Sequence, residues 1–324
     1  VDLRSIRYFV QIADCGSISR AAKHLGVAQP ALSRHLHSLE EELGARLLVR
    51  LPRGVRLTGT GRQFFEHCRR ILREVARARE EVRAGARLPR GRVVLGVSPT
   101  IAALMLPGIV ERARRQCPHV ALKATESFST LLYDALLTGR LDVAVMTNPP
   151  PSRGLKLTPL ITEPLVVLTP PQPRGTRRFY TLAELAKTPL VMSDGIRGVA
   201  EEQLGRYGVR LALEAEIDSI EAIRQLLLRG VGATILPIST FHDDVRSGRL
   251  CAFQIADANV HRMLVLGRPA EQEHSAAVEE ISQLVVAEVD ALYAAGFFSV
   301  PAPGVQRAAR GRREARGLLQ RAGR

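Results

Sequence analysis

The sequence predicts an all-α N-terminal unit with a β wing and a long helix, followed by an α/β unit in two parts. Three observations predict it. Residues 17–36, SISRAAKHLGVAQPALSRHL, read as two short amphipathic helices joined at a glycine. Residues 59–85 carry an apolar seam in steps of three and four. From residue 92, β-branched runs alternate with helical segments. These divide the chain into a helix-turn-helix with its wing (1–58), a long helix (59–87), a hinge (88–91), an α/β unit (92–300) and a basic tail (301–324), expected to be disordered.

The opening helix is carried by Leu3, Ile6, Tyr8, Phe9, Ile12 and Ala13. In the next helix Ala21, Ala22 and Leu25 form the buried stripe, and Gly26 stands where the chain must leave in a left-handed conformation. Val27 plugs the gap, and Pro30 fits the first turn of the third helix, where a missing N–H costs nothing. Ala31, Leu32, Leu36 and Leu39 face inward, leaving Gln29, Ser33, Arg34 and His37 on or near the outer face. Gln and Arg can pair with adenine and guanine edges, so this helix suits the major groove of duplex DNA. Ala28 precedes the helix and offers no side-chain cap, a loss of about 1 kcal/mol against Ser.

Residues 47–58, LLVRLPRGVRLT, alternate like two strands about Pro52-Arg53-Gly54, a wing with Arg50, Arg53 and Arg56 set for phosphate or minor-groove contact. Thr58 is placed to cap the long helix. Along it Phe64, Cys68, Ile71, Val75, Ala78 and Val82 make a stripe too thin for a globular core, and Arg and Glu fill the positions between. That pattern predicts pairing with a second copy of the chain.

The α/β unit reads as strands 92–97, 120–125 and 141–147 with helices between them. A second set follows from about 163 to 256, then a strand at 259–269 and a helix at 274–294. The expected sheet is mostly parallel and divided into two Rossmann-like subdomains. The first comprises 92–162 with 259–300, the second 163–258, and the chain crosses near 160 and returns near 260. A ligand crevice is expected between them, beyond the carboxyl ends of the strands. Ser98-Pro99-Thr100 follows a strand and opens a helix, so two hydroxyls and backbone N–H groups meet at a positive dipole end. That arrangement suits a carboxylate or other oxyanion; ordinary capping by Ser98 or Thr100 is the alternative.

Charge is unevenly placed. Residues 1–91 hold 18 Arg and Lys against 9 Asp and Glu, and residues 301–324 hold 7 against 1, whereas 92–300 hold 21 against 22. A near-neutral body with basic ends points to a polyanion for the N-terminal unit. Cys15, Cys68, Cys117 and Cys251 are scattered and are expected as free thiols; no His or Cys spacing suggests a metal, and no cofactor is implied. Neither a membrane span nor a secretory signal is read in the sequence, so a soluble cytoplasmic protein is expected.

Taken together, LRSIRYFVQIADCGSISRAAKHLGVAQPALSRHLHSLEEELGARLLVRLPRGVRLTGTG, the long helix and RGRVVLGVSPTIAALMLP resemble the LysR-type transcriptional regulators over residues 1 to about 297. Within the family the similarity is greatest to the branch of the nitrogen assimilation control protein. The resemblance implies a winged helix-turn-helix, a homodimer or homotetramer, and a two-subdomain effector fold like that of periplasmic binding proteins. It also implies promoter DNA and a small-molecule effector as partners, with RNA polymerase a further one. By position, Gln29, Pro30, Ser33 and Arg34 match the family's DNA-contacting helix start, with Ser17, Arg20 and Arg53 as flanking phosphate contacts. Ser98, Pro99 and Thr100 match its first effector-binding turn, and Ser129, Thr147, Ser193 and Ser219 are further candidates from later strand ends. Residues 199–208, VAEEQLGRYG, have no cysteine, which argues against a peroxide sensor. An enzyme or solute-binding protein on the same bilobed framework is the alternative function, but no catalytic triad or phosphate-cradling loop supports it.

Overall fold

A computed structural model describes residues 1–51, 54–84, 89–172, 179–270 and 275–299, without the side chains of 73, 76, 77 and 79–84. Arg53, the 85–88 part of the hinge and the tail lie outside the described residues, as does the Val82 side chain.

Three helices open the chain: α1 (Leu3–Cys15), α2 (Ile18–Leu25) and α3 (Gln29–Glu42). The Asp2 carboxylate caps α1 by accepting from the Ser5 amide at 2.7 Å. Gly26 ends α2 at φ 64°, its N–H bonded to the Ala22 and Lys23 carbonyls. Ala28 gives α3 no side-chain cap, as its methyl dictates, and Pro30 stands in the first turn. Ile6, Phe9 and Ile12 meet Ala21 and Ala22, and Leu32, Leu36 and Leu39 close over them. The two alanines let α2 and α3 approach closely.

The wing is an antiparallel pair, β1 (Leu48–Leu51) and β2 (Gly54–Leu57), with Leu48 opposite Leu57 and Leu51 opposite Gly54. It docks on the α1–α2 turn through the Val55 amide, which donates to the Gly16 carbonyl at 3.0 Å. Gly54 is required there: its φ is 108°, and a Cβ would stand 2.3 Å from the Gly16 oxygen.

Helix α4 (Gly59–Ala84) begins at Thr58, whose hydroxyl accepts from the Gly61 amide at 2.8 Å. Its first turns pack on α1, Phe64 against Phe9 with ring centroids 5.4 Å apart. The expected seam therefore divides. Cys68 is fully buried in the core of its own chain and Phe64 packs beside it, which removes Cys68 from any surface a second chain could meet. Ile71 is 41% exposed, Val75 half-buried and Ala78 exposed.

In the C-terminal part come β3 (Gly91–Val97), α5 (Pro99–Gln116), β4 (Val120–Glu126), α6 (Ser129–Leu137), β5 (Val143–Thr147) and β6 (Leu155–Thr169). Next are β7 (Phe179–Tyr180), α7 (Leu182–Leu185), β8 (Pro189–Met192), α8 (Asp194–Gly205), β9 (Ala212–Glu216), α9 (Ile220–Leu228) and β10 (Thr234–Pro237). A 3-10 turn (Ile238–Phe241), α10 (His242–Arg246), β11 (Cys251–Ile255), β12 (His261–Pro269) and α11 (Ala276–Ala294) complete the described chain.

The main sheet runs β4-β3-β5-β12-β6-β11-β7, with β10 also on β6, and β8 pairs with β9. It is mixed rather than mostly parallel. β3 is parallel to β4 and β5, and β8 to β9, but β12 is antiparallel to β5 and β6, and β6 to β10 and β11. The cause is β6, which runs through both halves: residues 155–164 pair with β12, and 165–169 with β10 and β11. Pro159, opposite Val265 where the register shifts, is tolerated at that irregularity. Two apolar cores flank the crossing, one around Val93, Leu95 and Val97 with Ile109 and Ile281, the other around Val166, Leu190, Leu204, Ile223 and Ile235.

Candidate functional site

Helix α3 presents one polar face. Gln29, Pro30, Arg34 and His37 are exposed and Ser33 is half-buried beside them, while Leu32, Leu36 and Leu39 anchor the opposite face. The imidazole of His37 lies 3.3 Å from the Glu41 carboxylate. Ser17 caps α2 by accepting from the Arg20 amide at 3.4 Å, and the Arg20 guanidinium donates to the Cys15 carbonyl. Both therefore brace the turn between α1 and α2.

One residue on the opposite face of α3 was legible only as part of an acidic helix end. Glu40 is 6% exposed, and its Oε1 accepts from the Leu47 and Leu48 amides at 2.7 and 3.1 Å. Its Oε2 accepts from Arg46 Nη1 at 3.0 Å. The carboxylate ties the start of the wing to α3. The only sequence signal was a Glu at the Leu36/Leu39 spacing of the buried face.

In the C-terminal unit the structure brings Ser98, Ser129 and Thr147 together. Ser98 Oγ lies 3.0 Å from Ser129 Oγ and 3.2 Å from the Val145 carbonyl, and Ser129 Oγ accepts from the Thr147 amide at 2.8 Å. Ser98 does not cap α5, nor does a side chain cap α6, so the starts of two helices converge without capping side chains. The proton count is informative. Ser98 gives its proton to Val145 and Ser129 gives its own to Ser98, which leaves the Thr147 hydroxyl, buried and without a partner, as the donor to spare.

Thr100 points elsewhere: its hydroxyl accepts from Arg262 Nη1, so it is not an open contact on this cluster. Ser193 and Ser219 belong to the second half of the unit. Ser193 is buried at the start of α8 without a capping bond, and Ser219 caps α9 by accepting from the Ala222 amide at 3.3 Å. The two halves meet where Gly195 of α8 lies under Phe128, the residue before α6; a Cβ at Gly195 would be 3.2 Å from that ring. A hollow of about 450 Å³ is lined by Leu106, Pro107 and Val110 of α5 and by Ala124 and Glu126 of β4.

Residues 3–62 match the family model described as the bacterial regulatory helix-turn-helix protein, lysR family, and residues 86–290 match the LysR substrate binding domain. The chain belongs to the LysR family of transcriptional regulators. It is 34% identical to the nitrogen assimilation regulatory protein nac of Klebsiella aerogenes, over 74% of this chain and 79% of that protein. It is 30% identical to the HTH-type transcriptional regulator BbuR of Bordetella bronchiseptica, over 90% of this chain and 91% of that one. A full-length OxyR variant from Pseudomonas aeruginosa superposes with a TM-score of 0.68 at 24% identity, covering 89% of this chain and 94% of that one. CbnR in complex with its target DNA gives 0.66 at 22% identity, covering 90% and 99%. These likenesses establish the fold.

As a LysR-family regulator, the chain joins a DNA-binding unit to an effector-binding one. The relatives are regulators rather than enzymes, so the enzyme alternative falls. Among the described residues no helix is long and apolar enough to cross a membrane, no group of three or more His, Cys, Asp or Glu could hold a metal ion, and all four cysteines are free.

Proposed function

We propose that this regulator reads duplex DNA through the exposed face of α3, as a dimer or tetramer, and that a small oxyanion controls it from the cleft between its subdomains. Gln29, Ser33, Arg34 and His37 read base edges. Ser17, Arg20 and the wing arginines, Arg53 among them, hold phosphates, and Pro30 sets the angle at which α3 starts. Ile71, Val75, Ala78 and Val82 join two copies along α4.

The observation that carries the effector assignment is the convergence of the α5 and α6 starts at Ser98 and Ser129, with the unpartnered Thr147 hydroxyl buried beside them. Two uncapped helix starts supply N–H donors and partial positive charge, and Thr147 supplies one more donor. Ser98, Pro99, Ser129 and Thr147 form the anion subsite. Ser193 and Ser219 contact the remainder of the ligand from the second subdomain, and Thr100 senses occupation through the residues behind it.

Acetate, succinate, 2-oxoglutarate and benzoate, tested by thermal shift, should include at least one that raises the melting temperature. Thr147→Val, which removes the hydroxyl and keeps the shape, should abolish that rise while leaving DNA binding intact. A rise that survives Thr147→Val removes this subsite. DNase protection upstream of the gene should appear over the same protein range in which random competitor DNA is ignored; loss of that preference removes the DNA reading.

A further inference from the structure

Arg262 lies at the crossing between subdomains and is 0% exposed. Its guanidinium serves three elements. Nε donates to Glu163 Oε1 at 2.7 Å, Nη1 donates to Thr100 Oγ1, and Nη2 donates to Ser239 Oγ at 3.2 Å. Thr100 is in the first turn of α5, one residue past Pro99; Ser239 is in the 3-10 turn that follows β10. Thr240 adds a direct link, its hydroxyl donating to the Thr100 carbonyl at 3.1 Å.

The three arms differ in what they depend on. Arg262 and Glu163 are register partners on β12 and β6, so their pairing is local to the crossover and survives a rotation of one subdomain on the other. The arms to Thr100 and Ser239 cannot both survive one, because Thr100 belongs to the first subdomain and Ser239 to the second. Stability is a poor reason for such a group: burying an ion pair costs as much in desolvation as the attraction returns. Burial opposes the charge on Arg262 and Glu163 supports it. The network is also incomplete, since Glu163 Oε2 is buried without a partner. A buried network rigidifies a core when fully satisfied, and this one is not.

We propose that Arg262 is the positioning residue through which the effector turn at residues 98–100 sets the angle between the subdomains. It touches neither DNA nor the anion subsite. It holds Thr100 and Ser239 in one arrangement, and displacement of the α5 first turn releases one arm. This role rests on the effector reading above for its physiological trigger, but the arrangement it holds is measurable without any ligand.

The test uses the full-length chain with spin labels at positions 131 and 207, both exposed and in different subdomains, with Cys15 and Cys251 replaced by Ser. Labelled chains are diluted with unlabelled ones so that only distances within a chain are read. With no carboxylate added, the parent should show one dominant distance. Thr100→Val and Ser239→Ala each remove one hydroxyl from a charged donor and should shift the population ratio about tenfold or more toward a second distance. Thr100→Ser restores the hydroxyl and should restore the single distance, which loss of packing alone would not do. Arg262→Lys keeps the charge opposite Glu163 but cannot serve three acceptors, and should show both distances; if it fails to fold, the two hydroxyl deletions decide. A single unchanged distance in Thr100→Val and Ser239→Ala, or a parent already as broad as the variants, overturns the proposal. The carboxylate-dependent melting rise and its loss in Thr147→Val are read separately, so the two ideas fail independently.

Discussion

Arg34 stands on the exposed side of α3 while Leu32 and Leu36 are buried on the other, so deleting its guanidinium should alter recognition and not folding. Arg34→Ala should weaken binding to the preferred site by about 1–3 kcal/mol and relax base choice at one position. Competition footprinting against single-base variants of the site measures both, and an unaltered base preference would take Arg34 out of the reading set. Cys68 makes the contrasting case of a residue whose role is settled by burial. Desolvation pushes its thiol from 9.0 up to about 12, and burial raises Cys117 as well. The native protein at pH 8 should therefore expose Cys15 and Cys251 to a thiol reagent, with Cys68 and Cys117 reacting only in denaturant. Because the folded-state pKa of Cys68 is raised, its neutral form favours folding below pH 9, and that contribution is lost as the pH climbs toward 12. A spaced sequence of Phe64, Cys68 and Ile71 could not distinguish these fates, since the same stripe that would face a partner begins by facing its own core.

At the scale of elements, the N-terminal helices were legible because each carries its own punctuation: Gly26 to stop α2, Pro30 to start α3, and alanines where the packing is tight. The wing was legible from alternation, but its attachment was not, since that depends on Glu40 accepting from amides seven and eight residues away. Glu40→Ala leaves the Leu47 and Leu48 amides without their acceptor and should destabilise the unit by about 1–3 kcal/mol per amide. Glu40→Gln keeps an acceptor and should cost less. Hydrogen exchange at Leu47 and Leu48 reports the loss directly, and equal protection in both variants would show that the carboxylate is incidental to the wing. The long helix gives the other element-scale expectation. Its later turns leave Ile71 exposed and Val75 half-buried, so Ile71→Asp or Val75→Asp should shift the sedimentation of the free protein toward monomer. An undisturbed dimer would mean that copies join elsewhere.

For the whole molecule, the two-part α/β unit was legible from the alternation of strands and helices, but its continuity was not. Residues 155–162 carry Lys156, Thr158 and Pro159, which mask a strand, and only pairing with β12 across the sheet makes that segment regular. The charge distribution is a molecular property that the sequence displays plainly, and it sets a quantitative expectation. Residues 1–91 carry nine more basic than acidic side chains, and residues 92–300 carry one fewer. DNA affinity should therefore fall steeply with salt, with a logarithmic slope of about −0.9 for each phosphate neutralised. The melting rise expected from a carboxylate should change little over the same range, because the donors of the proposed subsite are helix starts and hydroxyls held inside the protein. Arg50 and Arg56 are exposed on opposite strands of the wing, and the proposed DNA reading assigns them to phosphates. Arg50→Ala should lower affinity about equally for every site sequence and reduce the salt slope by about 1. Titrations at several salt concentrations, on the preferred site and on random duplex, separate the two classes of contact. If Arg50→Ala instead changed base preference and left the slope intact, the wing would have to be counted among the elements that read sequence, and α3 would not be the sole reader.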